Sequence, residues 1–79
     1  MVEAYVLIQA KPGPAGQGVS KEVATIKGII SAEDVSGPYD VIARAQARSL
    51  DELAKLVVAK VQLLDGVTRT LACSVVHLE

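Results

Sequence analysis

The chain has 79 residues, 51% of them hydrophobic and 22% charged, and a formal net charge of −1. These values exclude a disordered segment and argue against direct binding to the phosphates of nucleic acids. The sequence contains no secretory signal, one cysteine and no apolar run near the ~18 residues of a membrane span, so we expect one cytoplasmic domain without an internal disulfide.

The first predicted element is a strand over residues 2–10. Apolar and polar side chains alternate there, which is the period-two pattern of a strand with one buried face. The segment 11–14 ends the strand, because it contains two prolines, which cannot donate to a strand ladder.

A helix is predicted next, over about 16–26. Its apolar residues Val19, Val23 and Ile26 lie at i, i+4 and i+7, so that they form one helical stripe. Gly28 follows just past the end, where glycine most readily forms a left-handed cap.

Two further strands are predicted as an antiparallel hairpin. The first covers 29–36, where Ile30 and Ala32 are expected on one face and Val35 on the other, and the weak alternation indicates a bulge or a change of twist. Residues 37–40 form the turn, and strict alternation resumes over 41–48.

A capping box, Ser49-x-x-Glu52, predicts the start of a second helix. The residues Asp65 and Gly66 end this helix, and 67–78 is predicted as a fourth strand. The apolar face of the helix comprises Leu53, Leu56, Val57, Val61 and Leu64.

The order βαββαβ predicts an α+β, ferredoxin-like sandwich, with a four-stranded antiparallel sheet and both helices on one face. The other face of the sheet is then uncovered, and its composition is too apolar for water alone. We expect two such faces to meet in a dimer. The residues predicted on this face are Glu3, Tyr5, Leu7, Gln9, Ile42, Arg44, Gln46 and Arg48.

Residues able to carry catalysis are few. His77 is the only histidine, and Cys73 lies among apolar neighbours, where a thiol usually behaves as a small hydrophobic group. The doublet Glu33 and Asp34 is interpreted as a solvated pair rather than as metal ligands. We therefore expect no enzyme activity, no metal and no cofactor.

The turn at 37–40 is the first feature that suggests binding. Gly37 allows a close backbone approach, and Asp40 presents a carboxylate beside the ring of Tyr39. A carboxylate held in this way is able to pair with an amino group. From the residues alone, a turn that Gly37 and Asp40 merely shape is the favoured interpretation.

The second feature is the start of the fourth strand, residues 66–70. Arg69 and Thr70 bring a guanidinium and a hydroxyl to a helix end, and such groups are able to bind an anion. Taken alone, however, such a segment is more often a capped helix that leads into an edge strand.

The turn at 37–40 is followed by the strand start at 66–70, within the element order βαββαβ. A chain with this arrangement resembles the effector-binding domain of the Lrp/AsnC transcriptional regulators, called the RAM domain (regulation of amino acid metabolism). The resemblance covers nearly the whole chain and implies one ligand-binding and oligomerisation domain over 1–79. It also implies homodimers that form an α/β barrel and assemble further, into octamers or decamers, with small amino-acid effectors bound between dimers.

The resemblance is to stand-alone members, which lack the helix-turn-helix domain that usually precedes this module. It implies association with full-length Lrp/AsnC-type regulators, and no direct contact with DNA or membrane. Two residues after Thr70, where the family has a second threonine, this chain has Ala72. The resemblance therefore leaves open which effector binds and whether one binds. The implied ligand-binding residues are Gly37, Tyr39, Asp40, Arg69 and Thr70.

Two other functions are compatible with the same architecture. One is a small dimeric α/β-barrel enzyme of the monooxygenase kind, against which stand the absence of Phe and Trp and the single His77. The other is an amino-acid-binding regulatory module of the ACT type. The G-x-Y-D turn at 37–40 favours the RAM domain over the ACT module.

Overall fold

The structure is a computed structural model that describes residues 1–77. One layer of the molecule is a four-stranded antiparallel sheet. The elements are β1 (Val2–Ala10), α1 (Val19–Ala24), β2 (Ile29–Asp34), β3 (Val41–Ala47), α2 (Leu50–Leu56) and β4 (Val67–Ser74). The strand order is β2-β3-β1-β4. Helices α1 and α2 cover one face of the sheet, which confirms the predicted ferredoxin-like α+β fold.

The core between sheet and helices is aliphatic. Alternate residues of β1 point into it, as the period-two pattern predicted, because successive side chains of a strand point to opposite faces. No helix within residues 1–77 has the length and apolar character needed to cross a membrane. The buried core comprises Ala4, Val6, Ile8, Val19, Val23, Val41, Ala43, Ala45, Leu53, Val57, Val61 and Val67.

The first helix is shorter than predicted. A 3-10 turn at Gly13–Gly16 and a left-handed Gly18, with φ of 80°, occupy the first part of the predicted span, so α1 begins only at Val19. A left-handed residue cannot continue a right-handed helix, which explains the later start. Gly28 is left-handed, with φ of 101°, but it does not cap the helix as predicted. The helix ends at Ala24 with Thr25 as its C-cap, and Gly28 lies in the following turn, where the N–H of Ile29 donates to the Ile26 carbonyl.

β2 contains the predicted bulge, but its faces differ from the prediction. The register against β3 shifts between Ile29 and Ser31. Ile29 and Ala32 therefore pack against the core, whereas Ile30 is 50% exposed. The expectation that Ile30 and Ala32 share a face was wrong, because one extra residue in a strand reverses the alternation.

Three strands also end earlier than predicted. β2 ends at Asp34, β3 at Ala47 and β4 at Ser74. The predicted end of the fourth strand, at residue 78, lies outside the described residues.

The predicted capping box is present at the start of α2, but the second of its two hydrogen bonds is shifted by one residue. The Ser49 hydroxyl accepts a hydrogen bond from the Glu52 backbone N–H at 3.2 Å. The Glu52 carboxylate accepts from the backbone N–H of Arg48 at 3.3 Å, one residue before the N–H that a standard box satisfies. Both contacts use donors that the helix itself leaves free.

After α2 the helix widens into a single π-helical turn, Val57–Val61. The backbone N–H of Gln62 donates to the Val57 carbonyl at 2.9 Å, five residues back. The wider turn keeps Leu53, Val57 and Val61 over the core although they are spaced by four residues. The sequence pattern predicted this apolar face but not the widening.

Candidate ligand site

The turn motif and the start of β4 lie at the same end of the sheet, on either side of the last residues of β1. On one side, the backbone N–H of Asp40 donates to the Ile8 carbonyl at 2.9 Å. On the other, the Thr68 hydroxyl donates to the Gln9 carbonyl at 3.1 Å. Both motifs therefore meet at β1, which separates them.

Asp40 is fixed by three contacts. Its Oδ2 accepts a hydrogen bond from the backbone N–H of Ala10 at 2.8 Å, and its carbonyl accepts from the N–H of Val35 at 2.9 Å. Its own N–H is bound to Ile8, as described above. Within residues 1–77, Oδ1 makes no hydrogen bond. The side chain thus shapes the turn and still has one charged oxygen that faces water.

The rest of the turn is tied to β1 by Gln9, whose side-chain amide donates to the Pro38 carbonyl at 3.1 Å. Tyr39 is half-buried beside it. A Cβ added at Gly37 would have no atom within 4 Å, so crowding does not explain the glycine.

Arg69 and Thr70 point to opposite faces of β4, because neighbouring strand residues alternate. Arg69 lies opposite Gln9 on the open face of the sheet. Thr70 is half-buried on the helix side, where its hydroxyl donates to Oε1 of Gln62 at 3.0 Å. One protomer therefore does not bring these two side chains together.

Gln62 is a residue of this region that the sequence analysis missed, because it reaches Thr70 from the end of the π-helical turn.

The open face, defined here as the sheet face away from the helices, has the predicted residues except Arg48, which follows the end of β3, and it includes Arg69, Leu71 and Cys73 from β4. Tyr5 and Leu71 are each 44% exposed. Cys73 is exposed there, which corrects the expectation of a packed thiol. The acidic doublet at 33–34 is also exposed, as expected.

Arg44 organises the polar part of the open face. Its Nη2 lies 2.7 Å from Oε1 of Glu3, and its guanidinium lies 5.8 Å from the ring centroid of Tyr5. Both contacts hold the arginine against the sheet, and the second is within the range of a cation–π interaction.

Two clefts of the described chain lie away from these motifs. One, of about 490 Å³, is at the opposite end of the sheet and is lined partly by Gly28, Arg48 and Glu52. Another lies between the helices, beside Lys27, Lys55 and Lys60. The five ligand-binding residues that the resemblance implied line neither cleft.

Comparison with protein families gives a match to the Lrp/AsnC ligand binding domain over residues 3–77. A curated relative from Pyrococcus furiosus, the uncharacterized HTH-type transcriptional regulator PF0250, is 30% identical over 69 residues, which cover 85% of this chain and 46% of the relative. The chain thus spans about half the length of the curated relatives that it matches.

Solved structures give similar results. TTHA0845 from Thermus thermophilus superposes with a TM-score of 0.89 at 28% identity, covering 100% of this chain and 98% of that one. E. coli AsnC has a TM-score of 0.86 at 19% identity, over 98% of this chain and 52% of its own. A Neisseria meningitidis transcriptional regulator, NMB0573, in complex with L-Met has a TM-score of 0.85 at 14% identity, over 96% and 50%. The last two likenesses show the fold alone.

Proposed function

Because the chain belongs to the Lrp/AsnC ligand-binding domain family, we propose that it is a non-enzymatic sensing domain that binds a small amino acid and assembles with further copies of itself. The observation that carries the proposal is the family match over 3–77, and the two motifs beside the end of β1 support it. The curated relatives are HTH-type transcriptional regulators, which supports a regulatory role over the enzyme alternative.

Asp40 is the residue that we assign to the amino group of the effector. Its Oδ2 is held by Ala10, so Oδ1 has a fixed position and remains available. An ammonium group that donates to this oxygen forms a charge-assisted hydrogen bond, which is about twice as strong as a neutral one. The L-Met complex of NMB0573 supports an amino acid as the class of ligand.

The assembly that we propose begins with two open faces in contact. Tyr5, Leu7, Ile42 and Leu71 form the apolar part of that face, and a second copy offers the same surface. A two-fold dimer buries the same patch on both partners, so one apolar surface is enough.

Dimers then associate further, into octamers or decamers, and the effector binds between them. Within one protomer Arg69 and Thr70 lie on opposite faces of β4, so a pocket that uses both side chains needs another copy to complete it. In this arrangement the effector acts through its different affinities for the assembly states, for which a coupling of about 1–3 kcal/mol is typical. We further propose that such assemblies include full-length Lrp/AsnC-type regulators.

Thermal unfolding in the presence of each common amino acid tests the binding proposal. A ligand at about 100 times its Kd stabilises the folded state by about 2.7 kcal/mol. In a domain of this size each kcal/mol raises Tm by about 4–8 °C. We expect one or a few amino acids to raise Tm by several degrees in the wild type and not in Asp40→Asn. A Tm that no amino acid changes would contradict the proposal.

A further inference from the structure

A groove on the helix side of the sheet combines apolar and basic side chains. It lies between the segment that follows α1 and the end of α2, and its volume is about 380 Å³. Its apolar part consists of Ile26 and Leu56, which are half-buried, and of Ala59. We call this depression the lysine groove; its lining residues are Thr25, Ile26, Lys27, Lys55, Leu56, Ala59 and Lys60.

The π-helical turn brings two of the lysines to the same groove. Residues five apart in a regular α-helix lie about 140° apart around the helix axis, because each residue turns the chain by about 100°. Lys55 and Lys60 nevertheless line one groove. The wider turn at Val57–Val61 covers most of the chain between them and reduces this angle. Such turns occur frequently at functional sites.

The three lysines of the groove have no acidic partner in the protomer. Lys27, Lys55 and Lys60 are exposed, and within residues 1–77 none of them forms an ion pair, in contrast to Arg44 on the open face. Asp51, one helical turn before Lys55, is exposed as well and does not pair with it. The net charge of the chain is −1, so the groove concentrates positive charge on a slightly acidic protein. Such a patch attracts a partner surface of negative charge.

The lysine groove adjoins the cleft at the end of the sheet where β1 begins. Lys27 and Leu56 line both depressions, and Arg48 adds a further cation in the second. Glu52 also lines that cleft, where its carboxylate accepts a hydrogen bond from the backbone N–H of Arg48 at 3.3 Å. The two depressions together form one elongated surface. A helix is able to lie along such a surface, whereas small molecules usually bind in cavities that enclose most of their area.

The chemistry of the groove fits an acidic helix better than a nucleic acid. A helix inserts apolar side chains at i, i+3, i+4 and i+7 into an apolar groove. A nucleic-acid backbone has no aliphatic groups to place against Ile26 and Leu56. A DNA duplex also carries a charge at about every 1.7 Å, which Asp51 and Glu52 beside the groove would repel.

We propose that the lysine groove binds an amphipathic, acidic helix of a partner protein. Aliphatic side chains of that helix pack against the apolar part of the groove, and its carboxylates lie opposite the three lysines. The groove is on the helix side of the sheet, so this interaction leaves the open face available for contact between copies. The inference does not rest on the proposed amino-acid sensing.

Fluorescence anisotropy of labelled synthetic peptides, added to the 79-residue chain, tests the inference. The first peptide is a helix with Leu at i, i+3, i+4 and i+7 and Glu at the flanking positions. A second has Gln in place of Glu, and a third has Ser in place of Leu. We expect the first to bind at micromolar concentration. The other two should bind about tenfold or more weakly, because one lacks the charge and the other lacks the apolar side chains.

Matched variants locate the binding. Lys55→Glu reverses a charge in the groove, and Lys21→Glu makes the same change at an exposed residue of α1 outside it. Ala59→Glu adds a carboxylate to the apolar part, and Ala54→Glu does so at an exposed residue of α2 outside the groove. All four positions are exposed, so we expect all four variants to fold.

The two groove variants should bind the Leu/Glu helix about tenfold more weakly, because each places a carboxylate where the peptide brings its own. The two controls should stay within about threefold of the wild type at physiological ionic strength, where exposed charges more than about 8 Å apart are largely screened. Thermal unfolding of each variant checks that it is folded.

Three results would overturn the inference. One is that the Leu/Glu helix does not bind, or binds no better than the Gln peptide. Another is that Lys55→Glu and Lys21→Glu weaken binding equally, which would indicate attraction without a defined site. The third is that a DNA oligonucleotide binds more tightly than the Leu/Glu helix and loses affinity in Lys55→Glu. The assay contains no amino-acid effector, so none of these results bears on the proposed sensing function.

Discussion

Oδ2 of Asp40 accepts a hydrogen bond from the backbone N–H of Ala10 at 2.8 Å, across the boundary between the β2–β3 turn and the end of β1. The residue that the motif assigns to ligand binding is therefore also part of the fold. One oxygen completes the last backbone contact of β1, and the other faces solvent. Loss of the whole side chain and loss of its charge alone should therefore have different effects on the free energy of unfolding.

We expect Asp40→Ala to lower the free energy of unfolding by about 1 kcal/mol, because the Ala10 N–H loses its acceptor. Asp40→Asn keeps an oxygen for that N–H, so its stability should stay within about 0.5 kcal/mol of the wild type. Both variants should lose amino-acid binding. Urea unfolding and calorimetric titration measure the two effects separately. Equal destabilisation by both variants would show that the charge, and not the hydrogen bond, matters for the fold.

Gly66 is expected to tolerate no larger residue, although its φ is not positive. A Cβ at this position would lie 2.5 Å from Cγ2 of Val19 and 2.9 Å from the carbonyl oxygen of Ala15. Val19 is buried, so it has little room to move. Gly66→Ala should therefore cost about 1–3 kcal/mol, the usual range for overpacking. An unchanged urea midpoint would argue against this close approach.

The capping contact of α2 gives a prediction that is independent of any ligand. Ser49→Ala should reduce the free energy of unfolding by about 1 kcal/mol, because the Glu52 N–H loses the hydroxyl that it donates to. Ser49→Thr keeps a hydroxyl and is expected to cost less. Chemical unfolding of the two variants side by side measures the difference, and equal losses would mean that the cap has no role.

Two exposed leucines test the open face as the interface between copies. Leu71 lies on the open face and is 44% exposed, whereas Leu63 lies after the π-helical turn and is 74% exposed. We expect Leu71→Lys to dissociate the dimer at micromolar concentration, because a dimer through this face would bury two added charges. Leu63→Lys should leave the assembly intact. Sedimentation velocity distinguishes these results, and a dimer retained in Leu71→Lys would exclude this face.

Much of the fold follows from local patterns in the sequence. The alternation of β1 predicts the buried face that includes Val6, and the S-x-x-E motif predicts where α2 begins. Local patterns fail where one residue changes the geometry. The bulge in β2 turns Ile30 outward, and a left-handed Gly18 delays α1.

The site was predictable only in outline. The motifs single out Asp40 and the start of β4, whose role in binding stays a prediction. They do not predict that the Asp40 carboxylate accepts a hydrogen bond from the Ala10 N–H, since that contact depends on the register of β1 against β3. The partner of Thr70 was not predictable either. Gln62 reaches it because of a π-helical turn, for which the apolar spacing of the helix gives no distinct signal.

Native mass spectrometry of the purified protein, with and without a mixture of the common amino acids, measures the assembly and any bound ligand in one spectrum. If the chain is an amino-acid sensor of this family, we expect a multimer of dimers that gains the mass of one kind of amino acid, and the same multimer without added mass for Asp40→Asn. A monomer or dimer that gains no mass from the mixture would contradict the proposed function.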